Sequence, residues 1–139
     1  MSEAPEAVVR RFVEQYQTGH DTAVGAALLA DDFVDRTPFG PFSPDRAGVL
    51  ALFGALFAAF PDLRADIHQQ LRDGDTVVTR KTFSGTHRGE FMGMPPTGRS
   101  VSFDVIDIVR VRDGQLVEHW NVVDQMALMT QLGAIPAPA

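Results

Sequence analysis

The sequence predicts an α+β fold in which helices come first and one strongly bent antiparallel sheet follows, packed on them as a cone with a mouth at one end. Two patterns carry this reading. Apolar residues recur at helical spacing as far as Phe60, and from residue 63 onward the period falls to two, with short turn signals dividing the strands.

The first helix is expected over residues 5–18, PEAVVRRFVEQYQT, where Val8, Val9, Phe12, Val13 and Tyr16 share a stripe and Gly19 closes the segment. DTAVGAALLA makes a short second helix capped by Asp21, and DDFVDRT reads as a brief extended piece. The third helix, SPDRAGVLALFGALFAAF, opens with Ser43 as cap and Pro44 at the first helical position. It presents Leu50, Phe53, Leu56, Phe57 and Phe60 at helical intervals. Four strands are expected at 63–72, 76–86, 100–112 and 115–123, joined by RDGD, by the long loop GTHRGEFMGMPPTGRS and by RDGQ. DQMALMTQLG is a short C-terminal helix, capped by Asp124 and stopped by Gly133. A single domain over residues 1–139 suits the length, with residues 1–4 and 135–139 expected to fray.

Composition narrows the function classes. A net charge of −6 offers no basic face for nucleic acid or anionic lipid, and no apolar run is long enough to span a membrane. With no Cys there is neither a disulfide framework nor a thiolate nucleophile, and a cytoplasmic location is the default expectation. Four His without Cys or tight His/carboxylate spacing predict no metal site. His20 and His68 read as surface residues, and His87 as one that orders its loop. GMPPTGRS has the spacing of a phosphate-binding loop, but Pro95 and Pro96 lack the N–H groups a phosphate needs and the next segment alternates like a strand. Phe91, Met92 and Met94 in that loop are placed either to close over a ligand or to form a loose apolar patch.

The last hairpin, VIDIVRVRDGQLVEHWNVVD, sets a carboxylate inside a strand. A two-residue Asp113-Gly114 turn puts Asp107 on the face of Glu118 and Trp120. A three-residue turn with Gly114 as the bulge puts it with His119 and Asn121. In the second register Phe103, Val105, Asp107, His119, Asn121 and Val123 form one face. Ile106, Ile108, Leu116, Trp120 and Val122 form the other, too apolar for solvent, so a homodimer through that outer face is expected.

Several stretches, LLADDFVDRTPFGP, FPDL, GTHRGEFMGMPPTGR, IDIVRVRDGQLVEHWNVVDQ and QLGAIP, resemble the SnoaL-like polyketide cyclase branch of the nuclear-transport-factor-2-like superfamily. The resemblance runs from about residue 8 to 136. It implies a cone-shaped α+β fold with a deep pocket, a homodimer, no cofactor, and an intramolecular aldol ring closure driven by side-chain acid/base catalysis. The catalytic Asp of those cyclases corresponds to Asn121, which cannot take a proton, and their pocket His to Asp107. Against the related ketosteroid isomerases, Asp107 matches the carboxylic acid that stabilises the oxyanion, which supports the second hairpin register. Thr37 stands for the isomerase base and Phe12 for its Tyr acid, which argues against steroid isomerisation.

The remaining candidates are Asp107, His119, Asn121 and Asp35. Asp107 either orients His119 as a base or, protonated among Phe103, Val105 and Val109, donates to an enolate oxygen, a chemistry for which ketosteroid isomerase is the standard example. A purely structural alternative has Asp107 accepting from His119 or Arg80. Asn121 would orient a carbonyl or a water. Asp35, expected near the mouth, is either a general base on a water or a solvated carboxylate beside Arg36. Phe12 and Tyr16 are expected as pocket wall because the first helix closes this fold, together with Phe39, Phe57, Phe83 and Phe91. Met94, Phe103, Val105 and Val123 complete the expected substrate-binding set. The expected function is cofactor-independent proton transfer on a hydrophobic, polycyclic carbonyl compound of secondary metabolism. The rivals are epoxide opening through Asp107 with Asp35 or His119, and a non-catalytic binding protein.

Overall fold

The computed structural model describes residues 3–136, so the fraying expected at 1–2 and 137–139 lies outside the described residues. Helix α1 runs Pro5–Arg11 with Pro at its start, then widens into a π-helical segment, Phe12–Thr18. That wider turn still buries Phe12, Val13 and Tyr16, and it also buries the polar Gln17. Helix α2 (Thr22–Leu28) is capped by Asp21, whose carboxylate accepts from Val24 N–H at 3.2 Å. Gly25 in α2 is required by close packing, since a Cβ there would come within 2.4 Å of the Tyr16 ring.

Helix α3 (Arg46–Ala59) corrects the expected cap: Asp45, not Ser43, accepts the Gly48 N–H at 2.9 Å. A carboxylate is the stronger acceptor at a helix start. Ser43 Oγ instead donates to Asp45 Oδ1 at 2.7 Å and braces the cap from outside. Helix α4 (Gln125–Leu132) begins at Asp124 and ends at Gly133 in the left-handed conformation, as its sequence predicts.

The strands are β1 (Leu29–Asp35), β2 (Arg64–Asp73), β3 (Thr76–Thr86), β4 (Ser100–Arg112) and β5 (Gln115–Val123), in sheet order β1-β5-β4-β3-β2. The last four form the antiparallel meander the alternation predicts. The extended piece after α2 becomes β1, which pairs parallel with β5 and places Asp35 beside His119. Strand β4 alternates without a break, so Val101, Phe103, Val105, Asp107, Val109 and Val111 all face the interior.

The β4–β5 hairpin combines features of both expected registers. Its turn is the two-residue Asp113-Gly114, both at positive φ (52° and 74°), with Arg112 opposite Gln115. An extra residue, Val117, then bulges from β5, because Val111 pairs with Leu116 and Arg110 with Glu118. That single insertion turns His119 and Asn121 onto the face of Asp107, as the three-residue turn would have done. It differs in detail: Asn121 stands directly opposite Asp107 and His119 opposite Val109. Leu116, expected on the outer face, is consequently buried inside.

Candidate active site

Helix α1 with its π-helical turn, α3, α4 and the concave face of the sheet line a cavity of about 110 Å³, walled chiefly by apolar side chains. All four expected catalytic candidates, Asp35, Asp107, His119 and Asn121, line it. Of the expected substrate-binding set, Phe12, Phe39, Phe83 and Phe91 line it, as do Phe103, Val105 and Val123. Tyr16, Phe57 and Met94 do not. Tyr16 is 1% exposed, with its ring held by Phe12, Phe53 and Phe57 at centroid distances of 5.1 to 5.5 Å. Phe57 turns away to stack on His20 at 4.0 Å. Met94 closes the tight turn that carries Phe91, each residue's N–H donating to the other's carbonyl.

The polar groups form one chain along the cavity wall. Asp35 ends β1 and is 7% exposed, which rules out the solvated carboxylate beside Arg36; Arg36 pairs with Glu118 instead. His119 Nδ1 lies 3.0 Å from Asp35 Oδ1, and its Nε2 2.8 Å from Asp107 Oδ1. Asp107 Oδ2 lies 2.5 Å from Lys81 Nζ, which also donates to Gln17 Oε1 at 2.9 Å. Arg80 is no partner of Asp107: the strand alternation that turns Val77, Lys81 and Phe83 inward turns Arg80 outward.

This geometry fixes protonation. A neutral imidazole has one N–H, yet both ring nitrogens of His119 face carboxylate oxygens, so the arrangement fits an imidazolium between two carboxylates. Burial alone would push His119 down, but its bonds to Asp107 and Asp35 outweigh that and raise it to about 9. Burial would push Asp107 up, but the Lys81 ammonium and His119 hold its carboxyl at about 2. At neutral pH these shifts favour an ionised Asp107 beside a protonated His119. Both Asp107 oxygens are occupied, Oδ1 by His119 and Oδ2 by Lys81.

Two polar atoms of these cavity-lining residues, Asp35 Oδ2 and Asn121 Nδ2, have no hydrogen-bond partner among the described residues. Asp35 Oδ1 also accepts the Thr37 N–H at 3.0 Å, whereas Oδ2 has no hydrogen-bond partner among the described residues. Thr37 Oγ1 accepts the Asn121 N–H and donates its own proton to Asn121 Oδ1, both at 2.9 Å. Its alternative acceptor, Asp35 Oδ1, is farther, at 3.5 Å. The Asn121 oxygen is thus the atom turned toward Thr37, and Nδ2–H₂ is presented on the other side. Residues Lys81, Gln17 and Thr37 were missing as site members from the sequence reading. Lys81 had a readable signal, being the only lysine in the chain and in phase with the inward residues of β3. Thr37 had one only through the resemblance, which sets it at the isomerase-base position, and Gln17 had none, because its role depends on the π-helical turn.

The bent five-stranded sheet packed on its helices defines a nuclear-transport-factor-2-like α+β fold. The chain matches the profile of the family described as SnoaL-like polyketide cyclase over residues 7–132. Aklanonic acid methyl ester cyclase DnrD of Streptomyces peucetius is 28% identical over 134 residues, covering 91% of this chain and 88% of that one. AclR of Streptomyces galilaeus, a proposed hydroxylase, superposes with a TM-score of 0.86 at 30% identity, over 97% of this chain and 84% of that one. IdmH of Streptomyces antibioticus, a proposed polyketide cyclase, does so with a TM-score of 0.81 at 35% identity, over 94% and 99%. The chain belongs to the SnoaL-like polyketide cyclase family. Among the described residues no helix is long and apolar enough to cross a membrane.

Proposed function

We propose that this chain is an enzyme that closes a ring in a hydrophobic polyketide ester by an intramolecular aldol step, with Asp35 as the base. The observation that carries this is Asp35 Oδ2: it is the cluster's one unpartnered carboxylate oxygen, and it belongs to a cavity-lining residue held from behind by an imidazolium. Oδ2 takes a proton from a carbon activated by neighbouring carbonyl groups. The electron pair left on that carbon forms the new C–C bond to a ketone carbon, and the resulting alkoxide takes the proton back from Asp35. Asn121 Nδ2–H₂ donates to the enolate oxygen while its charge develops. Asn121 then does not replace the relatives' Asp as a base; the proton-accepting role has moved to β1.

The apolar wall suits fused rings, but about 110 Å³ is less than the roughly 300–1,000 Å³ of ordinary small-molecule sites. Admission of such a substrate requires the wall to open; Phe39 and Phe91, whose rings lie 6.4 Å apart, are the aromatic wall residues supplied by loops. The test is turnover of aklanonic acid methyl ester and nogalonic acid methyl ester, on which relatives act by name. An isomeric product of unchanged mass that has lost one ketone carbon signal supports the reading. Binding of both esters without conversion overturns it.

The outer sheet face supports a homodimer. Ile106 (47% exposed), Ile108 (38%) and Val122 (75%) form an apolar strip around Trp120 across β4 and β5. Sedimentation velocity should show a dimer for the wild type and a monomer for Val122→Asp; a wild-type monomer at micromolar concentration would contradict the assignment.

A further inference from the structure

The chain's only lysine, among eleven arginines, is buried at the cavity wall with 3% exposure. Burying an ammonium is costly unless it is paired and hydrogen-bonded. Lys81 Nζ meets two acceptors from different elements, Asp107 Oδ2 on β4 at 2.5 Å and Gln17 Oε1 on the π-helical turn at 2.9 Å. Gln17 is itself 5% exposed, and Nζ also lies over the Phe83 ring, 5.0 Å from its centroid.

We propose that Lys81, braced by Gln17, is a positioning residue of the site: it pins Asp107, which orients His119 and through it Asp35, and it balances the charge of two carboxylates against one imidazole. The inference rests on the reading of Asp35 as the group that meets substrate. The ionisable residues lining the cavity are Asp35 from β1, Lys81 from β3, Asp107 from β4 and His119 from β5; α1, α3 and α4 contribute none. With Lys81 and His119 both positive, the four charges sum to zero. Without Lys81 the chain carries a net negative charge in a low-dielectric wall, so every proton in it is held more tightly. The acid/base window of the site then moves to higher pH as a unit.

A titration of the substrate-free protein tests this without reference to turnover. In full-length protein carrying ¹³Cε1-histidine, the imidazole of His119 is followed by NMR in the wild type, Lys81→Met, Lys81→Arg and Gln17→Leu, with exposed His68 as the internal control. The expected wild-type midpoint for His119 is about 9. Lys81→Met should raise it by roughly one unit or more, Gln17→Leu by less, and Lys81→Arg should restore it, with His68 unmoved throughout. Should Lys81→Met fail to fold, the Gln17→Leu shift and the wild-type midpoint still decide. A wild-type midpoint near 6.5, or one midpoint shared by the wild type and every folded variant, overturns the proposal. Absent ester turnover combined with the expected shifts sinks only the aldol reading.

Discussion

Raising the pH should destabilise the protein through His119 by an amount that can be worked from its partners. The folded-state value is about 9 against about 6.5 unfolded, so the group contributes stability fully below pH 6.5 and loses it as pH rises through 9. At about 1.4 kcal/mol per unit, the shift corresponds to about 3 kcal/mol. For a chain of this length that is a fall in Tm of roughly 6–12 °C between pH 6 and 9.5. The window stops at 9.5 because Tyr16, pushed up to about 12 by burial, adds its own loss once the unfolded phenol ionises near 10. Urea or thermal unfolding of the wild type against His119→Gln is the assay. The variant should be less stable at pH 6 and much flatter in pH. A variant with the wild-type slope would refute the buried imidazolium, because some other group would then be responsible.

Three further outcomes follow from the same contacts. Asp107→Asn leaves the Lys81 ammonium buried without a counter-charge and should cost about 3–5 kcal/mol in chemical denaturation, while the double variant Lys81→Met/Asp107→Leu should recover much of it. Asp107, held at about 2 against an ordinary 3.8, contributes stability above pH 4 that is lost as pH falls through 2, so acid unfolding of the wild type should sharpen below pH 4. Phe91→Ala removes a wall ring packed 5.4 Å from Phe60 and should raise KM for a polycyclic ester by roughly 10- to 100-fold with a smaller change in kcat, read by steady-state kinetics.

Much of the frame was legible because periodicity reports burial directly. The unbroken alternation of residues 101–111 placed Asp107 inside, and Asp124 and Gly133 bounded the last helix by backbone chemistry alone. What escaped was set by contacts distant in sequence. The Val117 bulge is invisible because valine is equally at home in a regular strand, yet it moves Leu116 inward and decides which residues face Asp107. From sequence alone Asp35 reads either as a general base near the mouth or as a solvated carboxylate beside Arg36. Only the parallel pairing of β1 with β5, more than 80 residues away, brings it 3.0 Å from His119. The protonation states were likewise hidden, since they depend on Lys81, whose partners come from two other elements.

The most direct test of Asp35 as the base is the kcat of Asp35→Asn on aklanonic acid methyl ester beside that of the wild type. Asn keeps the shape and can still meet His119 and Thr37, but it cannot accept a proton from carbon. kcat should fall about 10²- to 10⁴-fold with KM nearly unchanged. A kcat within a few-fold of wild type would contradict this role for Asp35 and return the proton transfer to another group.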